Sequence, residues 1–191
     1  NDKIYCKYAD ELIILLGTGL RISEFCGLTT DLDFENRLIR VDHQLLRDSE
    51  SGYYIETPKT KSGYREIPMS EPVYQALKRV LKKRKKKSTF SVGGYKNFLF
   101  LKKDGTPKTG ISYNNMIRGL VKKYNKQHKE QLPNITPHSL RHTFCTRMAN
   151  AGMNPKALQY IMGHANITMT LDYYTHVDTV SVKAEMERLT A

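Results

Sequence analysis

The nine residues TPHSLRHTF, at positions 136–144, begin a helix with one polar face suited to an anion. Thr136 is a favoured N-cap residue, and Pro137 is favoured at the first helical position. His138 therefore falls in the first turn, and Arg141 lies three residues later on the same face. Because backbone N–H groups at a helix N-terminus favour anions, this pair predicts a phosphate-binding site. A capping His138 and an ion-paired Arg141 are the alternative interpretation.

The other face of the same helix is apolar. Leu140, Phe144 and Met148 recur every four residues and are predicted to pack in the core. His138 and His142 have the i, i+4 spacing of a zinc-binding pair, which raises a metal interpretation. The cationic side chain between them and the lack of a CxxC pair in the sequence argue against it, so neither metal nor cofactor is predicted.

The composition describes a strongly basic chain. Its 191 residues include 31 lysines and arginines against 19 aspartates and glutamates, a formal charge of +12, with a mean hydropathy of −0.55. Such an excess predicts a polyanionic partner, most often nucleic acid, although a solvated basic surface is the alternative. The apolar runs are far shorter than the ~18 residues of a membrane span, and the first residues are polar, so membrane insertion and secretion are not expected. The length predicts one sizeable core.

Hydrophobic periodicity and capping residues predict a mostly α-helical chain with a small antiparallel β-sheet, an α+β fold. The strands are predicted within 33–47, at 53–57 and at 64–68, and a lysine-rich hairpin tip, Lys59–Gly63, joins the last two. Residues 88–110 are predicted to form a loop with at most one short strand. The predicted helices cover residues 5–16, 20–28, 70 into the basic run 82–87, 112–129, 136–150, 154–162, 166–175 and, as a final candidate, 179–190. The basic run is either a solvated helix end or a phosphate contact.

Two glycine turns place charged side chains at helix ends. The turn at 17–19 interrupts the first helix, so Arg21 is predicted at the start of the next one. The helix over 154–162 ends at Gly163, and His164 follows in the turn. Both side chains are thus predicted beside irregular backbone, where a ligand can approach.

A tyrosine pair closes the last clearly helical segment. Tyr174 shares one face with Ile167 and Leu171 at i, i+4, i+7, whereas Tyr173 lies about 100° round the helix. Tyr174 is therefore predicted to point toward the domain, as a site residue or a core residue. The helix pair over 155–174 is also typical of a helix-turn-helix, so a non-catalytic DNA-binding regulator is an alternative function.

Four segments together carry a family resemblance: GTGLRISE at 17–24, TPHSLRHTF at 136–144, MGH at 162–164 and YYTHV at 173–177. In this order they resemble the catalytic domain of the tyrosine recombinases, and the motif sequences are most similar to those of integrases of conjugative transposons and phages. The resemblance covers essentially the whole chain. A type IB topoisomerase uses the same kind of DNA cleavage and remains an alternative, although the integrase-like sequence motifs disfavour it.

The resemblance implies a phosphate site and its histidines. Arg21 and Arg141 match the two arginines that hold the scissile phosphate, and His138 and His164 match the two site histidines. Two guanidinium groups suit this role because each offers paired N–H donors. We expect His138 to transfer a proton and His164 to bind the phosphate.

The resemblance also implies a tyrosine nucleophile and a lysine acid. Tyr174, directly before THV, matches the nucleophile, with Tyr173 as the alternative. Lys61, beside the turn of the predicted hairpin, matches the lysine that protonates the leaving 5′ oxygen, with Lys59 as the alternative. The implied reaction is DNA cleavage and rejoining through a 3′-phosphotyrosyl link, without metal or ATP.

Partners and organisation follow from the same resemblance. It implies double-stranded DNA as substrate, a homo-tetramer on DNA formed from monomers, an accessory directionality factor and action at the nucleoid in the bacterial cytoplasm. Residues 1–191 are expected to be one catalytic domain of a longer recombinase whose N-terminal DNA-binding domains are absent. The segment 178–191 is a candidate for exchange between protomers, and packing within its own protomer is equally compatible.

Overall fold

The computed structural model describes residues 5–84 and 89–174, together with residues 182, 183, 186, 187 and 190. The predicted helix over 179–190 and the segment 178–191 therefore lie mostly outside the described residues. So do Lys85–Lys87 of the basic run and residues 175–177 after the tyrosine pair. Within the described ranges, no helix is both long and apolar enough to cross a membrane.

The first two helices set the position of Arg21. The chain has a 3-10 turn at Cys6–Tyr8, helix α1 at Ala9–Thr18 and helix α2 at Ile22–Gly27. The helix break predicted at 17–19 occurs at Gly19, whose φ of +64° ends α1. Gly17 stays helical and permits close packing, since a Cβ there would be 2.5 Å from Val73 Cγ2. Arg21 is the N-cap of α2, as predicted.

Four short strands form two antiparallel pairs: β1 at Leu38–Val41, β2 at Gln44–Arg47, β3 at Tyr53–Glu56 and β4 at Arg65–Pro68. Strand β1 pairs with β4, and β2 pairs with β3. The prediction that Lys59–Gly63 is the tip of a hairpin between β3 and β4 is thus corrected. Strand β3 pairs with β2, and β4 pairs with β1, so β3 and β4 do not pair with each other. Residues 57–64 bulge out between β3 and β4, opposite Asp42 and His43.

His43 explains why the first strand is broken. Its ring nitrogen Nε2 lies 2.8 Å from the carbonyl oxygen of Gly27, and its ring stacks on Tyr95 at 3.7 Å between centroids. These contacts hold His43 in the break between β1, which ends at Val41, and β2, which starts at Gln44. The opposite strand loses its partners here, and residues 57–64 leave the sheet.

The middle of the chain contains helix α3 at Glu71–Lys83 and two strands, β5 at Ser91–Val92 and β6 at Tyr95–Lys96. The prediction of at most one strand within 88–110 is thus wrong. Gly93 and Gly94, with φ of +55° and +82°, form the two-residue turn of a small hairpin. The sequence signal is weak because each strand has only two residues.

The remaining helices carry most of the site residues. They are α4 at Gly110–Gln127, α5 at Pro137–Asn150, α6 at Pro155–Met162 and α7 at Thr168–Leu171. A 3-10 turn at Asp172–Tyr174 follows α7, so the helix predicted over 166–175 is α-helical for only four residues. The prediction of a mostly helical chain with small antiparallel strand pairs is confirmed.

Two apolar clusters hold these elements together. In the larger one, Phe25 stacks on Phe100 at 4.2 Å between centroids, and Tyr113 meets Phe25 edge-on at 5.2 Å. The smaller cluster joins α5 to α6, with Tyr173 and Tyr174 packed against it: Phe144, Cys145, Ala149, Leu158 and Met162. The site lies where the smaller cluster meets α1 and α2.

Candidate active site

Arg141 is buried in α5, and its guanidinium group reaches carbonyls from two other helices. The helix begins as predicted, since Thr136 Oγ1 accepts a hydrogen bond from the Ser139 N–H at 3.1 Å. Arg141 Nη1 donates to the Gly19 carbonyl at 2.6 Å, and Nη2 donates to the Met162 carbonyl at 2.5 Å. These bonds orient the guanidinium, whose other N–H donors remain for a ligand.

Arg21 is also held by a backbone carbonyl at the end of a helix. Its Nη2 donates to the Gly163 carbonyl at 3.0 Å, and its Nη1 donates to Glu24 Oε1 at 2.8 Å. The side chain is 40% exposed, so it combines a fixed position with access to solvent. Gly163 ends α6 with a φ of +62°, as Gly19 ends α1. Each arginine is therefore bound to a left-handed helix end.

A third arginine, which the sequence analysis did not identify, lies beneath these two. Arg65 is fully buried and forms a two-point ion pair with Glu24, at 3.0 and 2.8 Å. Its Nε donates to the Ile161 carbonyl at 2.7 Å, and its Nη1 also donates to the Gly63 carbonyl at 3.2 Å. The available signal was an arginine in register with Ile67 on the inward face of β4.

The electrostatic balance of this cluster is positive. Among the described residues, Arg21 and Arg65 form ion pairs with the same carboxylate, that of Glu24, and the charge of Glu24 also acts on Arg141 without a direct contact. Burial raises the pKa of Glu24, but the hydrogen bonds and charge of Arg65 outweigh it and hold this pKa below its usual value. Burial and the nearby Arg21 lower the pKa of Arg141 to about 10, so it stays charged at neutral pH. Such a cluster favours an incoming anion.

His164 lies in the turn after α6, as predicted, and is buried. Its Nδ1 is 2.9 Å from Thr170 Oγ1, which fixes the ring. Burial, followed by the charges of Arg141, Arg21 and Arg65, lowers the pKa of His164 to about 4. The ring is therefore neutral at physiological pH and does not add to the positive charge.

A chain of three polar groups runs beside Arg141. His138 and His142 lie on the same side of α5, with their Nε2 atoms 2.6 Å apart. The Tyr173 hydroxyl is hydrogen-bonded to His142 Nδ1. Burial and Cys145 raise the pKa of Tyr173, while the charge of Arg141 acts in the opposite direction.

Tyr174 faces the domain, as predicted, but it does not join this chain of groups. Its hydroxyl donates to the Met153 carbonyl at 2.5 Å, and its ring packs against the smaller apolar cluster. Burial and Cys145 raise its pKa. Of the two tyrosines, the structure therefore brings Tyr173, not the Tyr174 expected from the sequence, to the histidines.

The two candidate lysines differ in position. A pocket of about 200 Å³ lies beside the arginines, and Arg21, Lys59 and Gly163 contribute to its lining. Lys61 is exposed at the start of the 3-10 turn Lys61–Gly63 and is not among the described residues that line this pocket. Of the two lysines, Lys59, the alternative, therefore lines a pocket together with Arg21, whereas the expected Lys61 does not.

The spacing of His138 and His142 had raised a metal site. In the part of the chain that the structure describes, no group of three or more His, Cys, Asp and Glu side chains is placed to hold a metal ion. The two rings are hydrogen-bonded to each other instead.

The fold and this cluster identify the class of protein. Residues 1–180 match the phage integrase family, so the chain belongs to this family, that of the tyrosine recombinases. The fold predicted from the family resemblance is thereby confirmed.

Individual relatives agree with this membership. The chain is 66% identical over 189 residues to the transposase from transposon Tn916 of Enterococcus faecalis, covering 98% of this chain and 47% of that protein. It is 35% identical to tyrosine recombinase XerA of Pyrococcus horikoshii, covering 94% and 54%. A structure of the Tn1549 transposon integrase in complex with circular intermediate DNA matches with a TM-score of 0.92 and 65% identity, covering 99% and 62%. The chain thus spans about half the length of the curated relatives it matches.

Proposed function

We propose that this chain is the catalytic domain of a site-specific DNA recombinase that moves a mobile element. The observation that carries the proposal is the cluster of Arg21, Arg65 and Arg141 near the carboxylate of Glu24, with one tyrosine and two histidines hydrogen-bonded in a chain beside Arg141. A phosphodiester would supply the missing negative charge. Family membership and the DNA-bound Tn1549 integrase support the same substrate.

Arg21 and Arg141 are the proposed clamp for the scissile phosphate. Their bonds to helix-end carbonyls hold both guanidinium groups in place before DNA arrives. Prepositioned donors stabilise the charge that develops on the non-bridging oxygens without reorganisation during the reaction. His164, neutral and fixed by Thr170, is proposed to bind the same phosphate.

The contacts favour Tyr173 as the nucleophile over Tyr174. A phenol with a raised pKa needs a base, and Tyr173 is hydrogen-bonded to a histidine, whereas Tyr174 donates to a backbone carbonyl. The charge of Arg141 acts to lower the pKa of Tyr173 and so favours a phenolate close to the proposed clamp. His138 is proposed to receive the proton.

Lys59 is the favoured general acid, with Lys61 as the alternative. Lys59 lines the same pocket as Arg21, and this shared pocket supports Lys59 as the donor of a proton to the oxygen that leaves the clamped phosphate. In the proposed step, the tyrosine oxygen bonds to phosphorus, the bond to the 5′ oxygen breaks, and that oxygen takes a proton from the lysine. Attack by the 5′ hydroxyl of another strand reverses the step and rejoins the DNA.

The test is a covalent trapping assay in EDTA. A duplex with the circular-intermediate sequence of Tn1549 is nicked near the scissile phosphate, so that the released fragment diffuses away and the adduct accumulates. The chain, and the chain joined to the preceding domains of the Tn1549 integrase, are compared with Tyr173→Phe and Tyr174→Phe on denaturing gels. We expect an adduct that is lost only in Tyr173→Phe.

The other outcomes separate the alternatives. Loss of the adduct only in Tyr174→Phe would assign the nucleophile as the sequence analysis did. No adduct in either protein, with DNA binding intact, would contradict the recombinase and favour the helix-turn-helix regulator. Relaxation of supercoiled plasmids that lack the element sequence, without strand exchange, would indicate a type IB topoisomerase.

A sulfur leaving group identifies the acid. When sulfur replaces the 5′ bridging oxygen, the leaving group departs without protonation because a thiol is far more acidic than an alcohol. We expect Lys59→Met to be slow on the oxygen substrate and close to parent on the sulfur substrate. Lys61→Met, the matched control two residues away, should react like the parent on both. The opposite pattern would assign the acid to Lys61.

Assembly belongs to the same proposal. We propose that residues 1–191 act as one catalytic domain, that protomers join as tetramers on DNA at the nucleoid, and that the segment 178–191 is exchanged between them. A directionality factor is a further proposed partner. Crosslinking with and without DNA tests the assembly, since tetramers without DNA, or no species larger than a monomer on DNA, would contradict it.

A further inference from the structure

His142 lies between the proposed nucleophile and the proposed proton acceptor. The Tyr173 hydroxyl contacts its Nδ1, and its Nε2 is 2.6 Å from Nε2 of His138. Both nitrogens of one imidazole are therefore engaged, one with each neighbour. From the sequence, His142 was predicted neither to bind phosphate nor to transfer a proton, and its spacing from His138 raised only a metal interpretation.

When both histidines are neutral, the hydrogen bonds of this chain can run in two directions, from Tyr173 to His138 or from His138 to Tyr173, and only the first starts with the tyrosine proton on its way to His138. A neutral imidazole carries one N–H donor and one acceptor. If Tyr173 donates its O–H to Nδ1 of His142, then Nε2 of His142 carries the proton and donates to Nε2 of His138. A proton entering His142 at one nitrogen can thus leave from the other.

We propose that His142 relays the proton of Tyr173 to His138 during DNA cleavage. As the tyrosine oxygen bonds to phosphorus, its proton passes to Nδ1 of His142, and the Nε2 proton of His142 passes to His138. His142 ends the step neutral, and His138 carries the charge. This inference rests on the proposed function and adds a residue to it.

The surroundings suit a neutral relay. Burial lowers the pKa of His142, and the neighbouring His138 and Arg141 lower it further. The titratable and charged groups that face Tyr173 and His142 come from α5, from the turn after α6 and from the segment of the tyrosine itself: His138, Arg141, Cys145, His164 and Asp172. The charge of Arg141 opposes a lasting positive charge on His142.

The test measures single-turnover adduct formation on the nicked Tn1549 duplex between pH 5.5 and 9. We compare the parent with His142→Phe, which keeps a ring but has no nitrogen, and with His142→Asn, whose amide accepts the tyrosine bond but passes no proton. Thr143→Ala is the matched control, because its exposed hydroxyl donates a hydrogen bond to the Ser139 carbonyl one turn back and, among the described residues, has no hydrogen bond to Tyr173, His142 or His138. DNA affinity and thermal unfolding are measured for each protein.

We expect both His142 variants to lose about 100-fold or more in rate at pH 7 with unchanged DNA affinity. Their rates should rise about tenfold per pH unit up to pH 9, since only tyrosine already ionised can attack, whereas the parent levels off near neutral pH. Thr143→Ala should match the parent. The sulfur substrate should not rescue either His142 variant, because the relay acts on the nucleophile.

Two results would overturn the relay. One is a His142→Asn rate within threefold of the parent with the same pH profile, which would leave only a positioning role. The other is an adduct that persists in Tyr173→Phe, because the contact would then involve a tyrosine that does not react. A parent that forms no adduct contradicts the proposed function itself, so the two failures are distinguishable.

Discussion

Replacing Arg65 with methionine tests whether the buried ion pair stabilises the site. Methionine keeps much of the side-chain volume but removes every N–H donor. Glu24, whose side chain is only 7% exposed, then loses its two-point partner and keeps Arg21 alone. The carbonyls of Ile161 and Gly63 lose their donor as well.

The expected loss is large compared with the stability of a typical domain. Removing one partner of a buried ion pair costs about 3–5 kcal/mol, because the other charge stays buried without compensation. Domains of this kind are stable by about 5–15 kcal/mol, so Arg65→Met should remain folded but be strongly destabilised. Arg40→Met is the matched control on the neighbouring strand. Arg40 pairs with Glu66 at 3.5 Å and is 74% exposed, so this change should cost about 1 kcal/mol or less.

The assay is urea unfolding followed by circular dichroism at pH 7 and pH 4.5. In the parent, the lowered pKa of Glu24 gives stability that is present above about pH 4.3 and is lost as pH falls through the folded-state pKa. In Arg65→Met, burial without the partner should raise this pKa, so protonation relieves the penalty and the difference from the parent shrinks at pH 4.5. A loss below about 1 kcal/mol at pH 7, or a loss equal at both pH values, would refute this account.

Three further predictions concern the residues around the site. Gly19→Ala should lower the free energy of unfolding in urea by more than Gly105→Ala. Both glycines have positive φ, but a Cβ at Gly19 would lie 2.5 Å from the Phe144 ring, whereas a Cβ at Gly105 would meet nothing within 4 Å. Equal losses would contradict this prediction. His164 should titrate near pH 4 by NMR. The stability that its neutral ring contributes is complete above about pH 6.5 and should decline as pH falls toward 4. A midpoint near pH 6.5 would contradict the effect of its burial. Tyr174→Phe should cost about 0.5–1.5 kcal/mol in unfolding free energy, from its lost bond to a backbone carbonyl, and leave adduct formation intact.

Helix starts were predictable because their signals are local. Thr136-Pro137 and Asn154-Pro155 each place a capping side chain directly before a proline, and α5 and α6 begin at those prolines. The positions of Arg21, Arg141 and His164 near helix ends follow from the same kind of signal. Two of the contacts that bring them together, Arg21 to Gly163 and Arg141 to Gly19, join residues more than 120 positions apart and have no counterpart in local sequence.

The tyrosine and lysine expectations depended on geometry that the sequence does not encode locally. Tyr174 was expected on a regular α-helix at about 100° per residue, but α7 ends at Leu171 and a 3-10 turn, at about 120° per residue, carries both tyrosines. Lys61 was expected beside the turn of a hairpin, but residues 57–64 bulge out between β3 and β4, which pair with β2 and β1. In both places the geometry departs from the regular pattern on which the choice of residue rested.

The arginine clamp also explains why α1 and α6 end with glycine in the left-handed conformation. The last carbonyls of a helix lack intrahelical partners and carry partial negative charge, so cations near them are favoured. Here the guanidinium groups of Arg141 and Arg21 serve as those partners, at Gly19 and Met162 and at Gly163. The same bonds therefore satisfy carbonyls at two helix ends and fix the two arginines that we propose as phosphate ligands. Because carbonyls are neutral, they orient the arginines without cancelling their charge, and that charge remains for the phosphate.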